Sequence, residues 1–354
     1  MTKILYLLML SAVSGLLSRT SVPLRLVSRV STSRLFSSSG GIMDQVSESQ
    51  RYLMDLNGYV VVKNVFTKDE IAEMNKVVTD NFEKVAHERL DPSIRNTKSG
   101  SAMSGSNPNR GRIDLGHILS WKDTPHFRNV LDHPKLVPYY HDFLGKGYRM
   151  DHMPFIIAQE KGSEGFSLHG GTIDVSSGEY NHFLAYSCNQ GTIRNSLMAV
   201  SVVLADQPAG AGGFCIVRGS HKSNFKAPAA MITGDEHKEY IYQPETEAGD
   251  VVIFSEGTVH GALPWEMDYQ RRVALYRFAP ATCCYGRSYM EDGDIGWPSE
   301  MTDGMTETQM AVLQPPFATR LDRTLLDGKG GTTVSSRSDA KKKFDKTVFG
   351  TQYF

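Results

Sequence analysis

The sequence predicts a mainly β domain with flanking helices, and three observations support that prediction. Short apolar runs recur between about residues 148 and 280, and Gly, Pro, Asp and Asn residues separate them. Short strands at fairly regular spacing with turn residues between them are typical of an all-β sandwich or barrel. A helical pattern lies before this region, so helices are expected to flank the sheets. The clearest strands are predicted at residues 153–158, 198–204, 213–217, 251–254 and 273–278.

The segment before these strands predicts one further strand and one helix. Residues 56–66 (LNGYVVVKNVF) indicate a turn followed by a strand, because a β-branched run follows Asn57-Gly58. Thr67-Lys68-Asp69-Glu70 has the capping-box form that begins a helix. Apolar residues then recur at helical spacing, at Ile71, Met74 and Val78.

Composition places the chain among soluble globular proteins. Its 354 residues are 40% hydrophobic and 22% charged, which is ordinary for a domain with a substantial core. The 38 basic and 39 acidic residues leave a net charge of −1, so we expect neither nucleic acid nor a membrane surface as a partner. The four cysteines form no CxxC pair, which favours a reduced interior.

The first 43 residues have the composition of an organelle-targeting peptide. No Asp or Glu precedes Asp44, and arginines recur among many serines. The apolar run from Tyr6 to Leu17 is too short and too interrupted to span a bilayer, so no stable membrane insertion is expected. Residues 34–38 (RLFSS) resemble the end of a mitochondrial presequence, whereas an apolar start before a basic stretch suits a plastid signal. We expect import into an organelle, either a mitochondrion or a chloroplast or other plastid.

The remaining chain is divided by composition into a domain and a tail. The domain is expected at residues 44–322, with its core at about 148–280, and a polar tail at 323–354. Residues 328–343 (GKGGTTVSSRSDAKKK) have a linker-like composition. Residues 90–112 are rich in Ser, Asn, Arg and Gly without periodicity, which predicts a mobile loop.

Two histidines and one arginine stand in settings that suit metal chemistry. His169 ends an apolar–polar alternation, His260 follows a turn-to-strand run, and Arg271 opens the next strand. A non-haem iron(II) oxygenase holds its metal on one face with two imidazoles and commonly a carboxylate, leaving positions open for co-substrate and O₂. A 2-oxoglutarate co-substrate also needs a cation for its distant carboxylate, and the planar fork of Arg suits that role. The combination therefore indicates such a site more strongly than any one of its residues.

These residues resemble the phytanoyl-CoA dioxygenase family of iron(II)- and 2-oxoglutarate-dependent oxygenases. The resemblance runs from Asn57-Gly58 to about Pro280, and its most specific piece is residues 206–222 (DQPAGAGGFCIVRGSHK). It implies a double-stranded β-helix (a jelly-roll or cupin-like barrel) with His169 and His260 on iron and Arg271 on 2-oxoglutarate. Two other residues are not expected to take part in the site. Arg272, which follows Arg271 on the strand, should point to the opposite face, and His221, in the Gly-Ser-His-Lys turn, should be structural.

The chain departs from the family at one ligand. The family usually has His-x-Asp, whereas this chain has His169-Gly170-Gly171, with Gly where the carboxylate belongs. A halogenating branch of these oxygenases lacks this carboxylate, so that chloride binds iron there. Alternatively another acid is the third ligand, either Glu256 or Asp174; Glu256 is preferred because it lies close to His260 in sequence. Loss of iron binding is the third alternative.

Several polar and basic residues are candidates for lining the rest of the pocket. These are Arg194, Asn195, Arg218 and Lys222, with Arg95, Lys98, Arg110 and Arg112 on the loop that would close over it. If they converge, the substrate is an acidic small molecule, for example an amino or carboxylic acid.

The leading hypothesis is an oxidoreductase that couples 2-oxoglutarate decarboxylation to oxidation of an unactivated C–H bond. Hydroxylation has the highest base rate in the family. Oxidative cyclisation in specialised metabolism would suit an amino-acid substrate, and the missing Asp favours a chloride-dependent halogenase. From other classes, a catalytically silent acid-binding β-barrel would lose Arg271 as readily as the carboxylate. A zinc hydrolase would leave Arg271 unexplained and needs three protein ligands.

Overall fold

The protein is built on two antiparallel β-sheets that enclose a cavity, with helices packed on the outside of the larger sheet. The computed structural model describes residues 45–88, 93–94, 97–107, 111–286, 290–291, 294–295, 297–316, 323–336 and 338–349. The predicted targeting peptide lies outside these residues, so it stays a prediction. No helix in the described ranges is long and apolar enough to cross a membrane.

The strands of the two sheets lie in an order that brings distant segments together. The described strands are β1 (Tyr59–Val62), β2 (Ser93–Ile94), β3 (Arg112–Leu115), β4 (Arg149–Gln159), β5 (Phe166–His169), β6 (Tyr186–Asn189), β7 (Thr192–Asn195), β8 (Met198–Val203), β9 (Gly213–Val217), β10 (Ile241–Tyr242), β11 (Val251–Ser255), β12 (His260–Leu263), β13 (Arg271–Ala279), β14 (Met290–Glu291), β15 (Asp294–Ile295), β16 (Arg323–Leu326) and β17 (Thr332–Ser335). The large sheet has the order β1-β11-β8-β13-β4-β3-β2 and the small sheet β10-β9-β12-β5. The other strands pair as hairpins, and no sheet of the described residues closes into a barrel.

Most of the helices precede β4 or follow β13 in the sequence. The described α-helices are α1 (Glu48–Asn57), α2 (Lys68–Glu88), α3 (His126–Asn129), α4 (Val137–Phe143), α5 (Ala229–Ile232), α6 (Ser299–Thr302), α7 (Glu307–Val312) and α8 (Asp339–Phe349). Short 3₁₀ turns occur at Ile118–Ser120, His182–Leu184, Ser220–Lys222 and Lys238–Tyr240. The capping box of α2 is confirmed, because the Thr67 N–H donates to the Glu70 carboxylate at 2.7 Å and the Glu70 N–H donates to Thr67 Oγ1 at 3.3 Å.

Strand alternation divides the core into two layers. On β13, Ala274, Tyr276 and Phe278 belong to the cluster shared with α2, α3 and α4. Val273 and Leu275 belong to a second cluster, which includes Phe214 of the small sheet. Successive residues of a strand point to opposite faces, so one strand contributes to both layers. The mainly β, double-stranded β-helix prediction is confirmed, with two facing open sheets instead of a closed barrel.

Each of the five predicted strands lies within an observed strand or extends one residue beyond it, and the predictions were wrong elsewhere. The loop prediction for residues 90–112 missed β2 and the start of β3. The linker expectation for residues 328–343 is wrong, because β16 and β17 pair as a hairpin and α8 follows. Thr324 is buried and its hydroxyl donates to Thr308 O, so this hairpin is attached to α7.

Candidate metal centre

A narrow cavity lies between the inner faces of the two sheets. It has a volume of about 100 Å³, and His169, His260, Arg271 and Arg277 are among the residues that line it. Its remaining lining is largely apolar and aromatic, including Phe155, Ile157, Phe166, Phe214 and Phe254. Two larger clefts, of about 630 and 550 Å³, contain neither histidine. The chemistry-bearing residues therefore concentrate in the smaller and more enclosed space.

The small sheet places the two histidines side by side. His169 is the last residue of β5, His260 is the first of β12, and the two are strand partners with ring centroids 4.3 Å apart. His169 Nδ1 lies 2.9 Å from Ser167 O, and His260 Nδ1 lies 2.8 Å from Thr258 O. A carbonyl oxygen only accepts, so both Nδ1 atoms carry the proton and both Nε2 atoms keep a lone pair. This is the arrangement in which imidazole binds a metal through Nε2.

Burial keeps both rings neutral. Burial, followed by the neighbouring His260, lowers the pKa of His169 to about 3. Burial also lowers the pKa of His260, against the opposing effect of Glu256. Neutral imidazole is the form that binds a metal, so the pair does not have to lose protons at neutral pH.

The turn after His169 explains the missing aspartate. Gly170 and Gly171 have φ values of +79° and +92°, in the region that favours glycine. A Cβ on Gly170 would lie 2.7 Å from Thr258 O and 2.8 Å from Glu256 O. A Cβ on Gly171 would meet Ile173 O and Val259 Cγ2 first, at 3.1 and 3.2 Å. The turn thus folds tightly against the segment that carries Glu256, and a side chain at position 171 would start away from the histidine rings.

Glu256 lies beside the histidines and is held by an arginine. Its Oε2 is 3.5 Å from His260 Nε2, and Arg277 Nε donates to its Oε1 at 2.6 Å. Burial raises the pKa of Glu256, but the charge and hydrogen bond of Arg277 together with the two neighbouring histidines outweigh burial, and the pKa falls to about 2. Within the described residues, no three His, Cys, Asp or Glu side chains already form a metal-binding group. Glu256 is therefore an ionised carboxylate next to the metal-binding nitrogen, engaged on its other oxygen by Arg277.

The alternative acid, Asp174, lies elsewhere. Its Oδ1 accepts the backbone N–H groups of Ser176 and Ser177 at 3.0 and 2.6 Å. Among the described residues no histidine pairs with Asp174, whereas Glu256 lies 3.5 Å from His260 Nε2. Asp174 caps a local turn, and the alternative that made it the third ligand is not supported by its position.

Arg271 is the first residue of β13, and no carboxylate of the described residues pairs with it. Its Nη1 donates to Gln159 Oε1 at 2.6 Å and its Nε donates to Gln207 Oε1 at 3.3 Å. Burial, followed by the nearby Arg112, lowers the pKa of Arg271 to about 9, so it remains a cation at neutral pH. A buried cation held by two neutral amides is prepared to bind an anion. Arg272 lies on the opposite face, where it contacts Asn75 and Thr79, as predicted from strand alternation.

The predicted substrate-binding set does not converge on this cavity, and that expectation is corrected. Arg194 and Asn195 line a separate cleft at the β6–β7 hairpin, because β7 lies outside both main sheets. The Arg218 guanidinium stacks 4.4 Å from the centre of the Tyr242 ring. Lys222 pairs with Asp55 at 3.6 Å on the surface.

The loop that was expected to close over the pocket contributes one described arginine. Arg112 lines the cavity, binds Asp114 through two nitrogens at 2.7 and 2.8 Å, and lies 4.1 Å from the centre of the Phe166 ring. Lys98 pairs with Asp235 on the surface instead. Arg95 and Arg110 lie outside the described residues.

The Gly-Ser-His-Lys turn supports the metal-site loops from behind. Ser220 Oγ accepts the Val259 N–H at 2.7 Å, one residue before His260. The carbonyl of His221 accepts the Thr172 hydroxyl at 3.0 Å, and its ring contacts Asp55 O. This position agrees with the structural role expected for His221.

Sequence reasoning missed Arg277, Gln159 and Gln207. Arg277 follows Arg271 by six positions on one strand, so alternation alone places both on the same face. That signal was available in the sequence. The sequence contains no such signal for Gln159 and Gln207, because their role depends on β4 and the segment before β9 meeting at Arg271.

The residues present fit an iron(II) ion. Two neutral Nε2 atoms, on the buried His260 and the half-buried His169, and an adjacent ionised carboxylate are the donor types of the two-histidine, one-carboxylate site. A cationic guanidinium in the same cavity fits the distant carboxylate of 2-oxoglutarate.

Comparisons with known proteins agree with this geometry. A family model described as phytanoyl-CoA dioxygenase (PhyH) matches residues 54–273, more than half of the 354 residues. No curated protein matches the chain in sequence. HygX from Streptomyces hygroscopicus with nickel and 2-oxoglutarate bound is 20% identical over 66% of this chain and 87% of HygX, with a TM-score of 0.50.

Two further solved structures show similar coverage. HygX with nickel, 2-oxoglutarate and hygromycin B bound is 20% identical over 66% of this chain and 88% of its own, with a TM-score of 0.50. EctD from S. alaskensis in its apoform is 19% identical over 67% and 78%, with a TM-score of 0.48. The HygX likeness supports the fold.

Proposed function

The chain belongs to the phytanoyl-CoA dioxygenase family and is an iron(II)- and 2-oxoglutarate-dependent dioxygenase; we propose that it hydroxylates an unactivated C–H bond of a small acidic metabolite. One observation supports the site assignment most directly. His169, His260 and Arg271 line one cavity, the Glu256 carboxylate lies 3.5 Å from His260 Nε2, and no carboxylate of the described residues pairs with Arg271. We assign His169, His260 and Glu256 to iron and Arg271 to 2-oxoglutarate.

Each of these residues has a definite task in the proposed reaction. Iron(II) with bound 2-oxoglutarate supplies the activation of O₂ and the oxidising power for the C–H bond. Ser167 O and Thr258 O fix the orientation of the two imidazoles through their Nδ1–H groups. Gln159 and Gln207 hold the Arg271 fork, so it meets the co-substrate carboxylate without rearrangement. The aromatic lining excludes water from the space between.

Hydroxylation is preferred to halogenation because of where Glu256 lies. A halide needs a free position beside the histidines, and the Glu256 carboxylate is already 3.5 Å from His260 Nε2. The turn at Gly170-Gly171 supports the same choice, because it packs against the backbone of Glu256. The Gly171 N–H donates to Glu256 O at 3.4 Å. We therefore propose that Glu256 replaces the aspartate that the family usually carries.

The class of substrate is supported by analogy and by charge. HygX holds nickel, 2-oxoglutarate and hygromycin B in one structure, so this fold binds a small molecule beside its co-substrate. In the present chain three arginines line the cavity: Arg112, Arg271 and Arg277. Two carboxylates lie next to it, Asp114 beside Arg112 and Glu256 beside Arg277. Arg112 is paired with Asp114 and Arg271 is assigned to 2-oxoglutarate, so the support for an anionic substrate rests on Arg277, which binds Glu256 through its Nε alone.

Anaerobic absorption spectroscopy tests the site. We expect a weak visible charge-transfer band when iron(II) and 2-oxoglutarate are both added to the purified protein, and no band with His169→Ala. Glu256→Ala should weaken iron binding by about tenfold or more, because one ligand of three is lost. His133→Ala is the matched control, since it removes a histidine that lines a separate cleft and should keep the band.

Each other outcome has a definite meaning. No band at any iron concentration would contradict the oxygenase assignment and favour a silent acid-binding protein. If Glu256→Ala kept full iron affinity and chloride shifted its band no differently from wild type, Glu256 would not be the ligand. A chloride-dependent band in wild type would favour the halogenase.

A further inference from the structure

The far end of β13 carries a second arginine whose surroundings suit a ligand. Arg271 and Arg277 are six residues apart on one strand face, which places them about 20 Å apart along the strand. Arg271 contacts Gln159 and Gln207, whereas Arg277 contacts Glu256 beside the histidines. The two cations therefore serve different parts of the cavity.

Arg277 uses only part of its hydrogen-bonding capacity. A guanidinium has five N–H donors, and the Nε–H of Arg277 donates to Glu256 Oε1 at 2.6 Å. Among the described residues, neither of its Nη atoms has a hydrogen-bond partner, and its side chain is 18% exposed. The Nη edge of the fork is thus available to a molecule that enters the cavity.

The residues around Arg277 leave space and add aromatic surface. Its strand partners are Ala199 on β8 and His152 on β4, and directly paired residues lie on one face of the sheet. The His152 ring lies 5.5 Å from the Tyr285 ring, which is 6.3 Å from Phe183. Tyr285 and Phe183 are 46% and 52% exposed, although both are large and apolar. Arg277 is therefore connected to an open aromatic rim through its strand partner His152.

Metal binding would strengthen the demand for an anion. Glu256 neutralises Arg277 in the described structure, and the proposed function assigns the same carboxylate to iron. A carboxylate shared with a dication balances less of the charge on its guanidinium partner, so Arg277 gains affinity for a second anion.

On the basis of the proposed function, we propose that Arg277 is a substrate-specificity residue, whose Nη edge binds a carboxylate of the substrate while its Nε supports Glu256. The substrate is then an acid whose apolar part lies toward His152, Tyr285 and Phe183. This inference replaces Arg194, Asn195 and Arg218 as the basis for an acidic substrate.

Hexanoate and hexanamide are suitable probes, because they match in shape and differ in charge. We would saturate the protein with iron(II) and 2-oxoglutarate without O₂, so that Arg271 is occupied, and follow the visible band as each probe is added. We expect hexanoate to perturb the band at about tenfold to a hundredfold lower concentration than hexanamide, the range for a charged hydrogen bond. Arg277→Gln should abolish that preference, whereas Arg218→Gln, a control outside the cavity, should keep it.

A second variant distinguishes the loss of substrate binding from the loss of the contact between Arg277 and Glu256. Arg277→Lys keeps a cation for Glu256 but lacks the fork that serves two carboxylates, so it should keep the band and bind hexanoate about fivefold or more weakly. The proposal is overturned if wild type shows no preference for hexanoate, or if both Arg277 variants keep the wild-type preference. A missing band in wild type would instead overturn the proposed function, so the two failures are distinguishable.

Discussion

The two arginines of β13 share one strand face and differ in their partners. Arg271 is held by the amides of Gln159 and Gln207, and Arg277 by the carboxylate of Glu256. An amide orients a guanidinium and leaves its charge available, whereas a carboxylate orients it and cancels much of the charge. The charge of Arg271 is therefore fully available to an anion, whereas Arg277 supports a proposed metal ligand through its Nε and leaves only its Nη edge for an anion. Partner chemistry, more than the arginine itself, decides the role.

The largest effect is expected from removing the cation at the amide end. Arg271→Gln should weaken 2-oxoglutarate binding by about a hundredfold or more, because a buried charged hydrogen bond contributes about 3 kcal/mol. Iron(II) affinity should stay within a few-fold, since no ligand contacts Arg271. Titration of 2-oxoglutarate against the iron(II) protein, followed by its visible band, measures both quantities.

The neighbouring residue provides a control with the same change of charge. Arg272 contacts Asn75 and Thr79 on the other face of the sheet, so Arg272→Gln should leave 2-oxoglutarate affinity unchanged. Equal losses in the two variants would show that net charge, and not the Arg271 position, controls binding.

How much of this site the sequence predicts depends on whether a feature is local. The positions of His169, His260 and Arg271 follow from short motifs, and strand alternation separates Arg271 from Arg272. Glu256 was preferred as the third ligand because it lies four residues before His260, and the structure places its carboxylate 3.5 Å from His260 Nε2. The sequence does not indicate that Gly170 packs against the backbone of Glu256 or that Arg277 contacts the Glu256 carboxylate, because both contacts join segments that are distant in sequence.

The wrong predictions have the same physical origin. Arg194, Asn195 and Arg218 were grouped by residue type, and β7 turns away from both main sheets as half of a hairpin. The segment at 328–343 has a linker-like composition, yet Thr332–Ser335 pairs with Arg323–Leu326 and forms backbone hydrogen bonds that composition does not reveal. In both cases a hairpin between consecutive strands, which residue type and composition do not reveal, decides the structure.

An intermediate effect is expected from making the amide end resemble the carboxylate end. Gln159→Glu places a carboxylate 2.6 Å from the Arg271 guanidinium if the side chain keeps its position. It should weaken 2-oxoglutarate binding by about tenfold to a hundredfold, because the new anion competes for the fork and repels the co-substrate. The same titration measures the change.

A matched control adds a carboxylate outside the cavity. Gln243 also uses its amide to bind backbone, at Gly212 N and Pro208 O, and it does not line the cavity. Gln243→Glu should therefore leave 2-oxoglutarate affinity unchanged. Unchanged affinity in Gln159→Glu as well would mean that an amide partner is not what keeps Arg271 available.

The smallest effect concerns the aromatic rim near Arg277, which includes Tyr285. The buried carboxylate of Asp151, on β4, binds the backbone of this rim. Asp151 Oδ1 accepts the Tyr285 N–H at 2.9 Å and Oδ2 accepts the Gly286 N–H at 2.7 Å. Burial raises the pKa of Asp151, but His152 and these two N–H groups outweigh it and lower the pKa to about 2. A carboxyl whose folded-state pKa is below its usual value stabilises the fold above that usual value, and the contribution disappears as pH falls toward 2.

Asp151→Asn should therefore lower the free energy of unfolding by about 3 kcal/mol at pH 6, because the buried Arg149 also loses its carboxylate partner, and by clearly less at pH 3. Denaturant unfolding of both proteins at the two pH values measures this difference. If the two ends of β13 are independent, the variant should also bind hexanoate more weakly while its 2-oxoglutarate affinity stays at the wild-type value, because Asp151 contacts the rim and not Gln159, Gln207 or Arg271. An equal loss of affinity for hexanoate and for 2-oxoglutarate would mean that the rim and the 2-oxoglutarate end of the cavity are coupled. Arg271 and Arg277 would then differ only in how far their charge is neutralised.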